Sequence, residues 1–213
     1  MAPLTAFILA GGKSSRMGSE KAFLELGGRS LLALALQLAG SVTPEVKIVG
    51  EKEKFSTFGP VVEDVYPGRG PLGGIHAALA ASATDYNLVL AVDLPFLRPR
   101  LLGYLASQAQ LSEAVVTVPR ASGQFQPLCA IYRKQFVAHA EQALAHNRNK
   151  VDALFREAPL RIVDDDELER AGFHAAMFRN LNTREDWEQA KQNLKFEAAF
   201  MMDRKDQASG KRE

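Results

Sequence analysis

Short, largely apolar runs alternate along the chain with segments in which Leu and Ala recur at helical spacing. Leu4–Ala10, Val46–Val49, Val61–Val62 and Leu88–Val92 have the continuous apolar character of strands covered on both faces, not the alternation of a half-exposed sheet. Between them, Ser30–Ala39, Gly74–Ala83 and Pro99–Gln108 read as helices. Strand–helix–strand order of this kind predicts a parallel sheet with helices on both sides. The second half is less regular. Ala114–Pro119 and Phe125–Tyr132 read as strands joined by Ala-Ser-Gly-Gln, a hairpin that brings an antiparallel element into the sheet. Arg133–His146 reads as a helix and Leu160–Val163 as a short strand. Thr183–Ala199 reads as a final amphipathic helix, with Thr183 at its N-cap and Asp186 at the capping-box position.

Neither an internal repeat nor a long Pro/Gly/Ser linker divides the chain. One domain is expected over residues 1–200, followed by a polar tail at 201–213. With 213 residues, 46% of them hydrophobic and 24% charged, the chain can bury a core without disulfides or structural metal. The 26 basic and 25 acidic side chains nearly cancel, which argues against a nucleic-acid-coating or membrane-surface protein. Cys129 is the one cysteine, so an intrachain disulfide and a cysteine metal cluster are excluded, and a reducing compartment fits. No apolar run reaches the ~20 residues of a membrane helix. The first ten residues have the greasiness of a weak signal peptide. They lack a basic leading segment and run into a Gly-rich loop instead of a cleavage site, so a buried first strand of a cytoplasmic protein is expected.

Candidate chemistry falls in three clusters. Leu9-Ala10-Gly11-Gly12-Lys13-Ser14-Ser15-Arg16-Met17-Gly18-Ser19-Glu20-Lys21 follows the first strand, where open α/β sheets place their ligands. Gly11 and Gly12 let backbone amides approach an oxyanion, and Lys13, Arg16 and Lys21 supply cations for a polyphosphate. A P-loop is excluded because its first glycine would fall at Phe7, and the dinucleotide fingerprint lacks its third glycine. The second cluster, Glu63-Asp64-Val65-Tyr66-Pro67-Gly68-Arg69-Gly70-Pro71-Leu72-Gly73-Gly74, is a loop leading into a helix near Gly74. Asp64 there suits either a sugar or base contact or an Asx turn. The third is Asp93, which ends a very apolar strand. A carboxylate there either binds a hard Mg²⁺ together with substrate phosphates or caps the segment that follows.

Together these clusters resemble the molybdenum cofactor guanylyltransferases, within the wider nucleotidyltransferase superfamily. The signature Leu-Ala-Gly-Gly-x-x-x-Arg-Met-Gly-x-x-Lys is met at Leu9, Ala10, Gly11, Gly12, Arg16, Met17, Gly18 and Lys21. The Gly70–Gly74 loop, the Asp93–Leu97 run and Asn180-Leu181-Asn182-Thr183 are also similar, so the likeness spans roughly residues 4–195. Sugar nucleotidyltransferases usually carry Ala-Gly and a Pro-Lys pair where this chain has Gly11-Gly12 and Glu20-Lys21. The cytidylyl relatives favour Ala-Ala-Gly, so Gly11-Gly12 points to guanine. One departure stands out: members often have an Asn after the second strand, where this chain reads Val49-Gly50-Glu51-Lys52.

The resemblance implies a three-layer αβα, Rossmann-like fold and transfer of GMP from GTP to the terminal phosphate of molybdopterin, with release of pyrophosphate. It implies catalytic roles for Arg16 and Lys21 on the triphosphate and for Asp93 on Mg²⁺, the expected cofactor. Leu9, Ala10, Gly11, Gly12, Lys21, Asp64 and Asp93 are the expected nucleotide contacts, with Asn180 and Asn182 candidates for the pterin side, for the metal or its waters, or for a structural turn. GTP and molybdopterin are the expected partners, together with proteins that donate and receive the cofactor; neither nucleic acid nor membrane is. The competing functions are transfer to a sugar phosphate or another acceptor, and a nucleotide-binding regulatory module without turnover. Outside the clusters, Asp164-Asp165-Asp166-Glu167 reads as a solvated acidic face. Cys129 and Trp187 read as packing residues, and His76 as a packed or solvated histidine.

Overall fold

A computed structural model describes residues 2–11 and 21–192. The central sheet is built from β1 (Leu4–Leu9), β4 (Val46–Val49), β5 (Val61–Val62), β6 (Tyr86–Ala91), β7 (Val116–Ala121), β9 (Cys129–Arg133) and β10 (Leu160–Val163). Their order is β10-β7-β9-β6-β1-β4-β5, with β8 (Gln124–Phe125) added onto β7. The pairs β10–β7, β6–β1, β1–β4 and β4–β5 are parallel, and β9 runs against both β6 and β7. A small hairpin of β2 (Glu25–Leu26) and β3 (Arg29–Ser30) stands apart. The expected mostly parallel sheet with an antiparallel element in its second half is the observed one.

Helices α1 (Leu31–Gly40) and α4 (Pro99–Gln110) cover one face, packing with Ala6, Ile8, Ile48, Leu88 and Leu90. Helices α3 (Pro71–Ala80) and α5 (Phe136–Ala145) cover the other with Phe7, Leu9, Val49 and Val89. Successive residues of β1 thus enter opposite cores, as the strand's period of two requires. Short helices α2 (Lys52–Phe55), α6 (Val151–Leu154) and α7 (Asp165–Arg170) complete the connections.

Several element boundaries differ from the sequence pattern for physical reasons. Helix α3 begins at Pro71, not near Gly74, because Gly70 at φ 66° makes the turn and proline is preorganised for a first helical position. The predicted strand Phe125–Tyr132 is two strands. Pro127, which has no N–H to donate, lies between them, and Cys129 N bonds back to Gln126 O at 3.0 Å. Arg133 belongs to β9, so the following helix starts at Phe136. The capping box forms as expected: Asp186 N donates to Thr183 Oγ1 at 3.1 Å and Thr183 N to Asp186 Oδ2 at 3.0 Å. The helix it opens runs from 184 to 192; its predicted continuation to Ala199 and the polar tail lie outside the described residues.

The acidic run corrects its expected reading. Asp164 caps α7 by accepting from Glu167 N at 3.0 Å. Asp165 accepts from the backbone at Ser122 and Gly123. Glu167 meets both guanidinium nitrogens of Arg161 and accepts from Tyr104 Oη at 2.7 Å. Three of the four carboxylates are structural fasteners, not a solvated face.

Candidate functional site

Parallel pairing puts the ends of β1, β4 and β6 at one edge: Leu9 is in register with Val49 and with Ala91. The chain order reverses there, because β4 lies on one side of β1 and β6 on the other. That is the switch point where an open α/β sheet binds its ligand.

The first loop leaves this edge under backbone control. Ala10 N and Gly11 N both donate to Val49 O, at 3.0 and 3.2 Å, and Val92 N donates to Leu9 O. A Cβ at Gly11 would make only ordinary contacts, 3.7 Å to Gly50 Cα and 3.8 Å to Val49 O. The protein's own packing therefore does not demand a glycine at this exposed position. Gly12, Lys13 and Arg16 lie outside the described residues.

Lys21, Asp93 and Asn182 come together. Lys21 Nζ donates to Asp93 Oδ2 at 2.9 Å and to Asn182 Oδ1 at 2.5 Å. The last segment is fastened over the same strand end, since Leu181 N donates to Asp93 O at 3.1 Å. Asp93 does not cap α4; Arg98 occupies that N-cap, with Pro99 in the first turn. Asn180 is exposed just before the Leu181 bond.

Asp64 stands at the far side of the edge, after β5. Three inter-strand spacings of about 4.8 Å separate β5 from β6, or roughly 14 Å. Its Oδ1 accepts from Tyr66 N at 2.8 Å, the Asx-turn arrangement, and its carboxylate packs against α3. A Cβ on Gly73 would lie 2.9 Å from both Asp64 Oδ2 and Tyr66 O, and one on Gly74 would press Leu9 at 3.3 Å. The Gly-Gly pair lets α3 sit this close. His76 is the packed of its two expected readings, buried and edge-on to Tyr66 at 5.0 Å between ring centroids.

A magnesium ion is implied by the family resemblance, and the donors present suit one. Among the described residues no group of three His, Cys, Asp or Glu side chains converges as a metal cage. The site instead offers a lone strand-end carboxylate, Asp93, beside the amide oxygen of Asn182. This oxygen-only set matches a cation that takes most of its ligands from water and phosphate.

Sequence reasoning missed the Lys21–Asn182 contact, whose partners are 161 positions apart. It also missed the aromatic stack beside Gly50, where Phe23 lies 5.6 Å from Phe55 and 5.8 Å from Phe58 between centroids. The spacing Asp164-x-x-Glu167 was a legible helix-start signal that would have revealed α7.

A doubly wound sheet with a basic side chain, a carboxylate and an amide at its switch point defines a nucleotidyltransferase-type protein. Residues 6–162 match the family described as the MobA-like NTP transferase domain, and the chain belongs to it. A relative from Pelotomaculum thermopropionicum, named "Probable molybdenum cofactor guanylyltransferase", is 36% identical over 188 residues, covering 87% of this chain and 91% of its own. A relative of the same name from Carboxydothermus hydrogenoformans is 32% identical over 189 residues, covering 88% and 95%. Among solved structures, molybdopterin-guanine dinucleotide biosynthesis protein A from Archaeoglobus fulgidus superposes with a TM-score of 0.79 at 24% identity, covering 90% of this chain and 98% of that one. At that identity it speaks for the fold. No helix among the described residues is long and apolar enough to cross a membrane.

Proposed function

We propose that this protein transfers GMP from GTP to the terminal phosphate of molybdopterin. The observation that carries the reading is the Lys21–Asp93–Asn182 cluster at the switch point, in a chain whose relatives bear the guanylyltransferase name. An oxygen of the acceptor phosphate attacks the α-phosphorus of GTP. The bond from that phosphorus to the bridging oxygen breaks, and pyrophosphate leaves with the electron pair. Such a transfer asks the protein mainly for alignment and charge neutralisation.

Each residue then has a task. Lys21 moves its ammonium from Asp93 onto the triphosphate, and Arg16 adds a second cation. The backbone of Leu9–Gly12 holds the nucleoside, and Asp64 faces its ribose or base from the opposite end of the edge. Asp93 is the residue that would hold Mg²⁺ once its lysine has moved, and Asn180 and Asn182 meet the acceptor. The magnesium ion supplies positive charge to the phosphates when bound.

The test is pyrophosphate release by the purified protein with molybdopterin and each of GTP, CTP and ATP. Release with GTP well above the other two is expected. Equal use of all three nucleotides, or transfer to a hexose 1-phosphate in preference to molybdopterin, would overturn the assignment.

A further inference from the structure

Across the sheet from the first loop, β7 and β8 are joined by a tight turn at Ser122 and Gly123, with φ of 51° and 72°. Both residues are left-handed, the geometry that suits a two-residue hairpin, and for a serine it is uncommon. The turn is gripped from outside. Asp165 Oδ1 accepts from Ser122 N at 2.7 Å and Asp165 Oδ2 from Gly123 N at 3.0 Å. One carboxylate thus satisfies two successive amides more than forty positions away in the chain. Asp165 is itself held, since α7 is pinned through Glu167 to Arg161 and Tyr104, and Arg161 reaches on to Gln108 of α4 at 2.7 Å.

The hairpin belongs to the same edge as the candidate site. β9 runs antiparallel to β6, so its start lies at the end of β6. Ala91 N, two residues before Asp93, donates to Leu128 O at 2.8 Å, and Gln126 N donates to Pro119 O at 2.9 Å. Residues 119–128 therefore stand beside Asp93 on the side opposite the β1 loop. In-line displacement brings the acceptor to the α-phosphorus from the side away from the departing pyrophosphate. A nucleotide held by the backbone at the end of β1 leaves the other side of Asp93, where β9 begins, to the acceptor, and that side is the hairpin's.

We infer that Asp165 is a positioning residue for the acceptor. By fixing the Ser122–Gly123 turn, it holds the 119–128 hairpin, with Arg120 on it, as the wall against which a phosphate-bearing acceptor docks. This rests on the transfer reaction proposed above. A fastener of the fold alone would affect both substrates alike, whereas a wall for one substrate affects that one.

The experiment compares wild type with Asp165→Ala and Asp165→Asn in two measurements. The first is hydrogen exchange at the Ser122 and Gly123 amides; the second is steady-state kinetics with GTP and molybdopterin varied separately. Asp165→Ala should speed exchange at both amides at least tenfold. It should raise the KM for molybdopterin roughly five- to twentyfold and leave the KM for GTP, and kcat at saturating acceptor, within about twofold. Asp165→Asn, which keeps an acceptor oxygen, should fall between. Replacing Ser122 by Gly in the Asp165→Ala background should recover part of the acceptor KM, because glycine adopts the turn without help. Unchanged exchange would overturn the tether, and equal change in the two KM values would overturn the acceptor role. A wild-type protein that binds GTP in calorimetry but transfers nothing to molybdopterin would overturn the proposed reaction, and the acceptor role with it, while the exchange result still decides the tether.

Discussion

Lys21 and Asp93 are 72 positions apart in the chain and meet at 2.9 Å, each side chain about four-fifths buried, at the end of the strand next to β1. The pair joins the two halves of the candidate site, one from the segment after the first strand and one from the sheet's centre. Neither residue is needed there for helix capping or core filling. Held together at the ligand edge of the sheet, they are the cation and the anion that the proposed transfer requires to change partners.

Asp93→Asn separates the site role from the structural one. An exposed ion pair is worth at most about 1 kcal/mol, and this partly buried one somewhat more. At this chain length 1 kcal/mol moves Tm by roughly 2–4 °C. Thermal melts should therefore show Asp93→Asn within a few degrees of wild type, while turnover falls roughly 10²-fold, the usual scale for losing a charge-stabilising group. Wild-type turnover with unchanged Mg²⁺ dependence would remove Asp93 from the site.

Lys21→Ala takes away a donor that reaches both Asp93 and Asn182. Loss of one charge-assisted contact to a phosphate costs about 1.5–3 kcal/mol, so GTP affinity should weaken roughly 10- to 150-fold. Calorimetric titration with GTP checks this directly. Wild-type affinity in the variant would place the triphosphate elsewhere.

The parts of this arrangement differ in how far they can be read from the chain. The central strands are legible because burial on both faces makes them apolar throughout, and Lys21, Asp93 and Asn182 each stand in a spaced motif. Their convergence is not legible, since it depends on which strands become neighbours. Gly73 looks like a loop residue in one dimension, and Gly74 like the first residue of a helix. In three both lie inside the helix, and their missing side chains make room for Asp64 and Leu9. Asp165 reads as one of four acidic residues in a row, and only the fold brings the Ser122 turn to it. Pro127 is the visible sign that Phe125–Tyr132 divides, because a residue without an N–H interrupts a ladder.

Glu167 gives a pH prediction. Hydrogen bonding from Arg161 is the main influence holding its carboxyl below the ordinary glutamate range; burial opposes this and the Tyr104 hydroxyl assists. A folded-state value below the unfolded one means the stabilisation is complete above about pH 4.3. It is lost as pH falls from there toward the lowered value. Glu167→Gln should cost about 1–2 kcal/mol at pH 7, or roughly 2–8 °C in Tm. The gap from wild type should narrow in melts at pH 3.5. A gap of constant size at both pH values would show that the charge of Glu167 does not matter.

Gly50 follows β4 at the ligand edge, and the structure shows what stands where its side chain would be. A Cβ on Gly50 would lie 2.7 and 2.8 Å from Cε2 and Cδ2 of Phe55, a ring only 2% exposed. The ring is also stacked on Phe23, so moving it disturbs a second contact. Gly50→Ala should therefore cost about 1–3 kcal/mol, the usual range for overpacking. Gly50 has no left-handed backbone angle, so strain in φ adds nothing. The cause can be isolated by a double-mutant cycle with Phe55→Leu, whose shorter side chain leaves the contested volume. Gly50→Ala should be nearly neutral in that background, giving a coupling energy of at least about 1 kcal/mol in denaturant melts. Additive effects would mean that the ring does not set the requirement for glycine.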